Sequence, residues 1–309
     1  MALHRLLGIE IGAPEPSALE RFYGEIGLQG GSGRWGSEAL PGQIGLSEAS
    51  YRQLREIRVG CEDEADLRAI ALRLDALGVA HRLAGGTLRL QDPVNRWHLV
   101  VEPAASFDVP PAPARVGNRP GERRRQGVRA EVVVESTPRP PRRLGHVAVG
   151  TPEIEKTRAL FVDGLGFRIS DVTAGIAFFT RCSMDHHNLV IQPGPVPYLN
   201  HYALEHDDID AVARAASVYL RAHGDAQVAG PGRHVIGGNV FWYMRDPCGT
   251  FFEFFTDMDV IPDDDAWEAR RDWSLEGTWS VWGSPEPPEV FFQPGDLDEV
   301  VAGFQRENG

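Results

Sequence analysis

The sequence predicts an α+β protein of two tandem modules followed by a carboxy-terminal extension, and three matched pairs of segments predict it. A repeat is sought first, because a missed duplication miscasts the whole fold. "RRLGHVAVGTPEIEKTRALFVDGLGF" (142–167) is echoed near the start of the 309-residue chain by "RLLGIEIGAPEPSALERFYGEIGLQG" (5–30). Gly12, Pro14 and Glu15 fall on Gly150, Pro152 and Glu153 at one offset of 138 residues, with Ile9 and Ile11 on Val147 and Val149. "LREIRVGCEDEADLRAIALRLDALG" (54–78) then matches "LNHYALEHDDIDAVARAASVYLRAHG" (199–224), with Val59 on Leu204. Each passes from apolar alternation to a helical period. "LRLQDPVNRWHLVVEP" (88–103) and "FWYMRDPCGTFFEFFTD" (241–257) close the two halves, Asp92 on Asp246, each as a strand, an Asp-Pro turn and a strand. The offset grows from 138 to 154 as the second half gains insertions, while the order of the pairs is kept.

The elements divide the chain into a first module over 1–106, a Pro/Arg-rich linker over 107–141, a second module over 142–260 and a Trp-rich extension over 261–309. The linker carries Arg123, Arg124 and Arg125 and reads as a solvated connection. The extension holds Trp267, Trp273, Trp279 and Trp282, and aromatic side chains at that density are expected to pack back over a module. "GGSGRWG" (30–36) lacks the strand-to-helix setting of a phosphate loop, and Asp207 and Asp208 read as the cap of the following helix.

Composition narrows the function. With 31 basic and 44 acidic residues the net charge is −13, which opposes a nucleic-acid or anionic-membrane partner and favours a small molecule. No apolar run approaches a membrane span, and the first residues lack a signal peptide's apolar centre, so the expected location is the cytoplasm. Cys61, Cys182 and Cys248 are too widely spaced for a metal knuckle and are expected to be buried thiols.

Three side chains of the second module carry the chemistry. His146 lies in its first strand, His201 is expected to begin the strand "HYALEH", and Glu253 sits inside "FFEFF" between pairs of phenylalanines. An ionised carboxylate in an apolar strand is costly unless a cation or a donor meets it. Two imidazoles and one carboxylate suit Fe(II), with Mn(II) the alternative. Singly, each histidine would read as an ordinary core or surface residue. The first module is the control: the offsets place Gly8, Glu56 and Leu99 at these three positions, so the fold itself does not require the ligands.

On these residues the second module resembles the catalytic module of type I extradiol ring-cleavage dioxygenases, of the vicinal oxygen chelate superfamily. The most specific stretch is "GPGRHVIGGNVFWYMRDPCGTFFEFF" (230–255), which matches the family's G-R-H, aromatic-tyrosine pair, D-P-x-G and ligand glutamate in order and spacing. The resemblance implies two vicinal-oxygen-chelate modules of paired βαβββ units, eight strands wrapping a cavity, in a homo-oligomer. It implies Fe(II) on His146, His201 and Glu253, a catechol and O2 as substrates, and meta cleavage in aromatic catabolism. His234 and Tyr243 match donors beside the substrate. The acid/base histidine falls in "DHHNLVI" (185–191), where His186 is favoured over His187. Alternatives are a 4-hydroxyphenylpyruvate dioxygenase-like oxygenase, a non-oxidative isomerase on the same scaffold, and a metal-free binding protein of the bleomycin-resistance kind.

Overall fold

The computed structural model describes residues 3–106, 110–112, 117–129, 139–274, 276–282 and 286–308. The first half comprises β1 (Leu3–Ala13), α1 (Pro16–Glu25), β2 (Gln29–Gly31), β3 (Arg34–Gly36) and β4 (Ile44–Glu48). A second unit of the same plan follows: β5 (Gln53–Cys61), α2 (Glu64–Ala76), β6 (His81–Ala84), β7 (Thr87–Gln91) and β8 (His98–Pro103). A small hairpin, β9 (Asn118–Arg119) and β10 (Glu122–Arg123), lies within the segment read as a linker, where Arg119 and Arg124 pair with Glu122. The second half repeats the plan with β11 (Arg143–Thr151), α3 (Ile154–Ala159) extended by a π-helical turn over Leu160–Leu165, β12 (Arg168–Thr173), β13 (Ala177–Arg181) and β14 (Leu189–Pro193). It closes with β15 (Tyr198–Glu205), α4 (Ile209–Ala222), β16 (Gln227–Arg233), β17 (Val240–Arg245) and β18 (Phe251–Thr256). Two helices end the chain, α5 (Glu289–Phe292) and α6 (Leu297–Asn308).

Each half is therefore two βαβββ units in one eight-stranded sheet. The strand orders, β2-β3-β4-β1-β5-β8-β7-β6 and β12-β13-β14-β11-β15-β18-β17-β16, are the same permutation, so the duplication holds in topology as well as sequence. Local chemistry fixes the boundaries. Asp63 caps α2 through the amides of Ala65 and Asp66, with Asp66 reaching back in a capping box. Asp208 caps α4 by accepting from Ala211 N at 2.8 Å, whereas Asp207 faces Arg142 at 3.3 Å. The stretch "GGSGRWG" is the β2–β3 hairpin. Among the described residues no helix is long and apolar enough to cross a membrane.

One apolar core joins the halves, because helices of both pack between the two sheets. Phe22 of α1 meets Tyr219 of α4 and Phe252 of β18, at ring-centroid distances of 5.5 and 4.9 Å. Arg73 of α2 donates to the carbonyls of Gly164 and Leu165. The other face of each sheet is thus free to hold something else.

Three sequence expectations are corrected here. The turn after Asp92 is one residue longer than that after Asp246: Asp92 N bonds Trp97 O, while Asp246 N bonds Thr250 O. Through the ladders, Ala203 pairs with Glu253 and Arg58 pairs with Val100, so the counterpart of Glu253 is Val100 and not Leu99. A slip of one residue would have put it on the opposite face. His201 lies in the middle of β15, which starts at Tyr198. Cys61 and Cys182 are buried thiols, but Cys248 is only half-buried.

His206, at the end of β15, is 2% exposed and lies edge-on to Phe254. Burial pushes its imidazole from 6.5 to about 3. The unfolded chain then binds the extra proton below pH 6.5, so stability from this group is full above that pH and falls as pH drops toward 3. By pH 5 the loss is about 2 kcal/mol. Urea unfolding of chelator-treated protein at pH 7.5 and pH 5 is expected to show that much less acid destabilisation in His206→Leu than in the wild type; equal losses in both would sink the assignment.

Candidate metal centre and the cavity above it

The ladders set His146, Ala203 and Glu253 in one row across β11, β15 and β18. Residues paired across strands share a face, and His201, two residues before Ala203, shares it too. Alternation sends Phe252 and Phe254 into the helix-side core and turns Glu253 to this opposite face, so the apolar strand and its carboxylate follow from one pattern. Ala203 is small and leaves the middle of the row open.

All three ligand-bearing residues are buried, and one donor atom from each lies within 4.8 Å of the other two. Glu253 Oε2 is 2.9 Å from His146 Nε2 and 3.6 Å from His201 Nε2. Glu253 Oε1 accepts from Asn239 Nδ2 at 2.9 Å. His201 Nδ1–H donates to Asn200 Oδ1 at 2.9 Å, which leaves the lone pair on Nε2, an atom with no hydrogen-bond partner among the described residues. Burial first, then the neighbouring His146 and His234, holds His201 well below the ordinary imidazole range and keeps it neutral. A fully buried carboxylate, a neutral imidazole with an unused lone pair and amide side chains orienting both fit a divalent cation.

The free face of the second sheet wraps a cavity above these residues. Its walls come from β11 to β15, from β17 and from the β16–β17 connection, and the extension supplies Thr278, Trp279, Phe291 and Phe292. His187, His234 and Tyr243 line it; His186 does not. Of the two adjacent histidines, the structure thus places His187 at the cavity and His186, the one favoured from the sequence, away from it. His186 sits behind, its Nε2 3.1 Å from Asp171 Oδ2 and its Nδ1 3.0 Å from His187 Nδ1. Asp171 Oδ1 is held by Arg270 N at 2.7 Å. The ring of His187 lies 4.4 Å from that of His146, and burial above all depresses its basicity well below the usual value.

Opposite, His234 Nδ1–H donates to Trp279 O at 2.8 Å, so Nε2 accepts the Tyr243 hydroxyl at 3.0 Å. Burial, aided by the charge of Glu253, raises Tyr243 well above 10 and keeps it a phenol. Burial likewise lowers His234, partly offset by Glu253.

The description of the Glyoxalase/Bleomycin resistance protein/Dioxygenase superfamily matches residues 143–254, from the start of β11 to the residue after Glu253. Residues 143–254 are a domain of this superfamily. Over 182 residues the chain is 37% identical to metapyrocatechase 2 of Cupriavidus necator, covering 58% of this chain and 55% of that protein. Over 155 residues it is 30% identical to biphenyl-2,3-diol 1,2-dioxygenase of Paraburkholderia xenovorans, covering 45% and 47%. The chain thus spans about half the length of these curated relatives. In fold it is similar to the Mn(II)-bound glyoxalase from Novosphingobium aromaticivorans, with a TM-score of 0.70 at 21% identity, over 96% of this chain and 99% of that one.

The first half keeps the architecture of the superfamily domain but fills the site differently. Arg58 stands where the second half has Ala203; its Nη2 donates to Gly42 O at 2.9 Å and its Nε lies 3.6 Å from Glu56. A Cβ on Gly8 would lie 2.8 Å from Arg58 Nη2 and 2.2 Å from Gln43 O. The position that carries His146 in the second half has to be glycine here, because the backbone carbonyl of Gln43 takes the space, with the Arg58 guanidinium beside it.

Sequence reasoning missed Asn200, Asn239, Asp171 and the cavity-facing role of Trp279 and Phe291. Asp171, in "RISDVT", lies among polar residues and offered no such signal as the carboxylate between the phenylalanines of "FFEFF". Asn200 offered only its place beside His201.

Proposed function

We propose that the chain is an extradiol dioxygenase that holds Fe(II), with Mn(II) the alternative, on His146, His201 and Glu253. It cleaves a catechol ring beside the diol and inserts both atoms of O2. One observation carries this reading: His146 and His201, which line an apolar cavity together with His187, His234 and Tyr243, bring their donor atoms within 4.8 Å of that of the buried Glu253. The names of the two relatives, a metapyrocatechase and a biphenyl-diol dioxygenase, support it. On this reading 142–260 is the catalytic module and 1–106 supports it without a metal.

His146, His201 and Glu253 would hold the ion, and three protein ligands would leave it able to take further donors from a substrate. When bound, such an ion supplies a Lewis-acidic centre through which a diol's electron density reaches dioxygen. The chain's own groups manage the protons. Neutral His187, with Nδ1 committed to His186, takes the second phenolic proton on Nε2 and returns it as the O–O bond breaks. Tyr243 can turn its hydroxyl from His234 to a developing oxyanion. One ring C–C bond breaks and both oxygen atoms stay in the product, so no external reductant enters.

The test is protein loaded with Fe(II) anaerobically and mixed with a catechol. The expected result is no turnover until O2 is admitted, then a yellow ring-opened product, with metal near one per chain. Turnover without O2 would indicate an isomerase, and protein that takes up neither metal would indicate a binding protein.

A further inference from the structure

We propose that Trp279 and Phe291 of the carboxy-terminal extension determine specificity at this site, confining it to single-ring catechols without a charged substituent; the inference rests on the dioxygenase reading above. Two observations carry it, one about charge and one about size.

No lysine or arginine lines the cavity among the described residues. The nearby arginines are turned away and engaged: Arg181 with Ser170 and Asp264, Arg233 with Gly238 O and Asp257, Arg270 against the Trp273 ring at 3.8 Å. Ala148, Ile176, Phe179 and Val190 line the cavity beside the metal ligands, with Thr173 and Gln192 as neutral polar groups. A carboxylate on the ring would lose its water there and meet no counter-charge, which disfavours binding strongly.

Size is set by the extension. The free volume of the cavity is about 90 Å³, of the order of the roughly 150 Å³ that admits one benzene ring and far short of room for two. One ring is therefore the ceiling unless the roof is removed. Trp279 stacks on Tyr243 at 5.6 Å and 25°, and Phe291 closes against Tyr243 at 5.1 Å and against His201 at 5.7 Å. Both are pinned by their backbone: Trp279 O to His234, and Phe291 O to Asn200 Nδ2 at 2.7 Å. The residues that hold His201 and Tyr243 in place thus also hold the roof, so the roof keeps its position relative to the ring-binding floor.

The experiment uses the full chain loaded with Fe(II) and four probes: catechol, 4-methylcatechol, 3,4-dihydroxybenzoate and 2,3-dihydroxybiphenyl. kcat/KM is measured aerobically and Kd by anaerobic calorimetry. The wild type is expected to favour the first two by about a hundredfold in both measures, a discrimination within reach of a tight apolar pocket and an unpaired charge. Trp279→Ala and Phe291→Ala should each raise biphenyl-diol binding and turnover about tenfold relative to catechol and leave the benzoate poor. Gln192→Arg should improve the benzoate alone. Wild-type enzyme that takes the biphenyl-diol or the benzoate as well as catechol overturns this proposal and leaves the dioxygenase reading standing. Variants that keep catechol turnover and show no gain on the biphenyl-diol also overturn it. Cleavage of none of the four overturns both.

Discussion

Glu253→Gln is expected to abolish stoichiometric metal binding and ring cleavage together while leaving the fold intact. Loss of an outer partner of a metal ligand, such as Asn239 or Asn200, costs about ten- to a hundredfold in affinity or activity. Loss of a ligand itself should exceed that. Glutamine keeps the shape and can still accept from Asn239, but it offers no charge to the ion. The alternative is that Glu253 serves as a structural partner of His146, at 2.9 Å in a fully buried pair. The two accounts diverge in metal-free protein. Breaking a structural buried pair costs about 3–5 kcal/mol, so chelator-treated Glu253→Gln would melt well below the chelator-treated wild type. If Glu253 is a ligand, the two melt alike, and only the wild type gains stability when Fe(II) or Mn(II) is added. Elemental analysis and thermal unfolding with and without metal separate the outcomes; a variant that still binds one metal per chain would exclude Glu253 as a ligand.

The duplication made this much of the site legible. Because β11 and β1 are copies, the presence of His146 against Gly8 could be weighed without any structure, and Glu253 stood out as a charge in an apolar strand. The structure sharpens the contrast. Gly8 is not merely a position without a ligand; a side chain there would meet the Gln43 carbonyl first and the Arg58 guanidinium next, and Arg58 stands in the first sheet where the second has Ala203. Replacing a ligand set by a tethered guanidinium keeps Glu56 compensated and the sheet unchanged, which is how one copy could lose the site and keep the fold.

What was not legible depended on register or on distance along the chain. A single extra residue in the turn after Asp92 moved the counterpart of Glu253 from Leu99 to Val100, and no local pattern reports the length of a turn. Trp279 reaches the cavity from a segment without helix or strand and Phe291 from the short helix α5, far along the chain from the ligands; the tryptophan density predicted packing against a module but not where. The choice between His186 and His187 was of the same kind. Adjacent residues differ in direction, and only the fold shows which ring enters the cavity.

That choice leads to the second large effect. His187→Ala is expected to lower kcat by roughly 10²–10⁴-fold with the metal retained, the range of general acid–base catalysis. The chain behind it gives a finer test. Asp171 accepts the Nε2–H of His186; His186 Nδ1 then accepts the Nδ1–H of His187, and the lone pair of His187 is left on Nε2. The tautomer of each ring is set by the hydrogen bond its neighbour makes. Asp171→Asn is nearly isosteric and can still accept from Arg270 N, but its amide now donates to His186 Nε2. Both rings must then reverse: His186 donates from Nδ1, and His187 carries its proton on Nε2, where it cannot act as a base. The expected result is a fall in kcat of about a hundredfold, with KM, metal content and melting temperature close to wild type. A purely packing role for Asp171 predicts a drop in stability and no change in kcat of the folded enzyme. If Asp171→Asn turns over at the wild-type rate, or His186→Ala loses more than His187→Ala, the proton does not travel through His187.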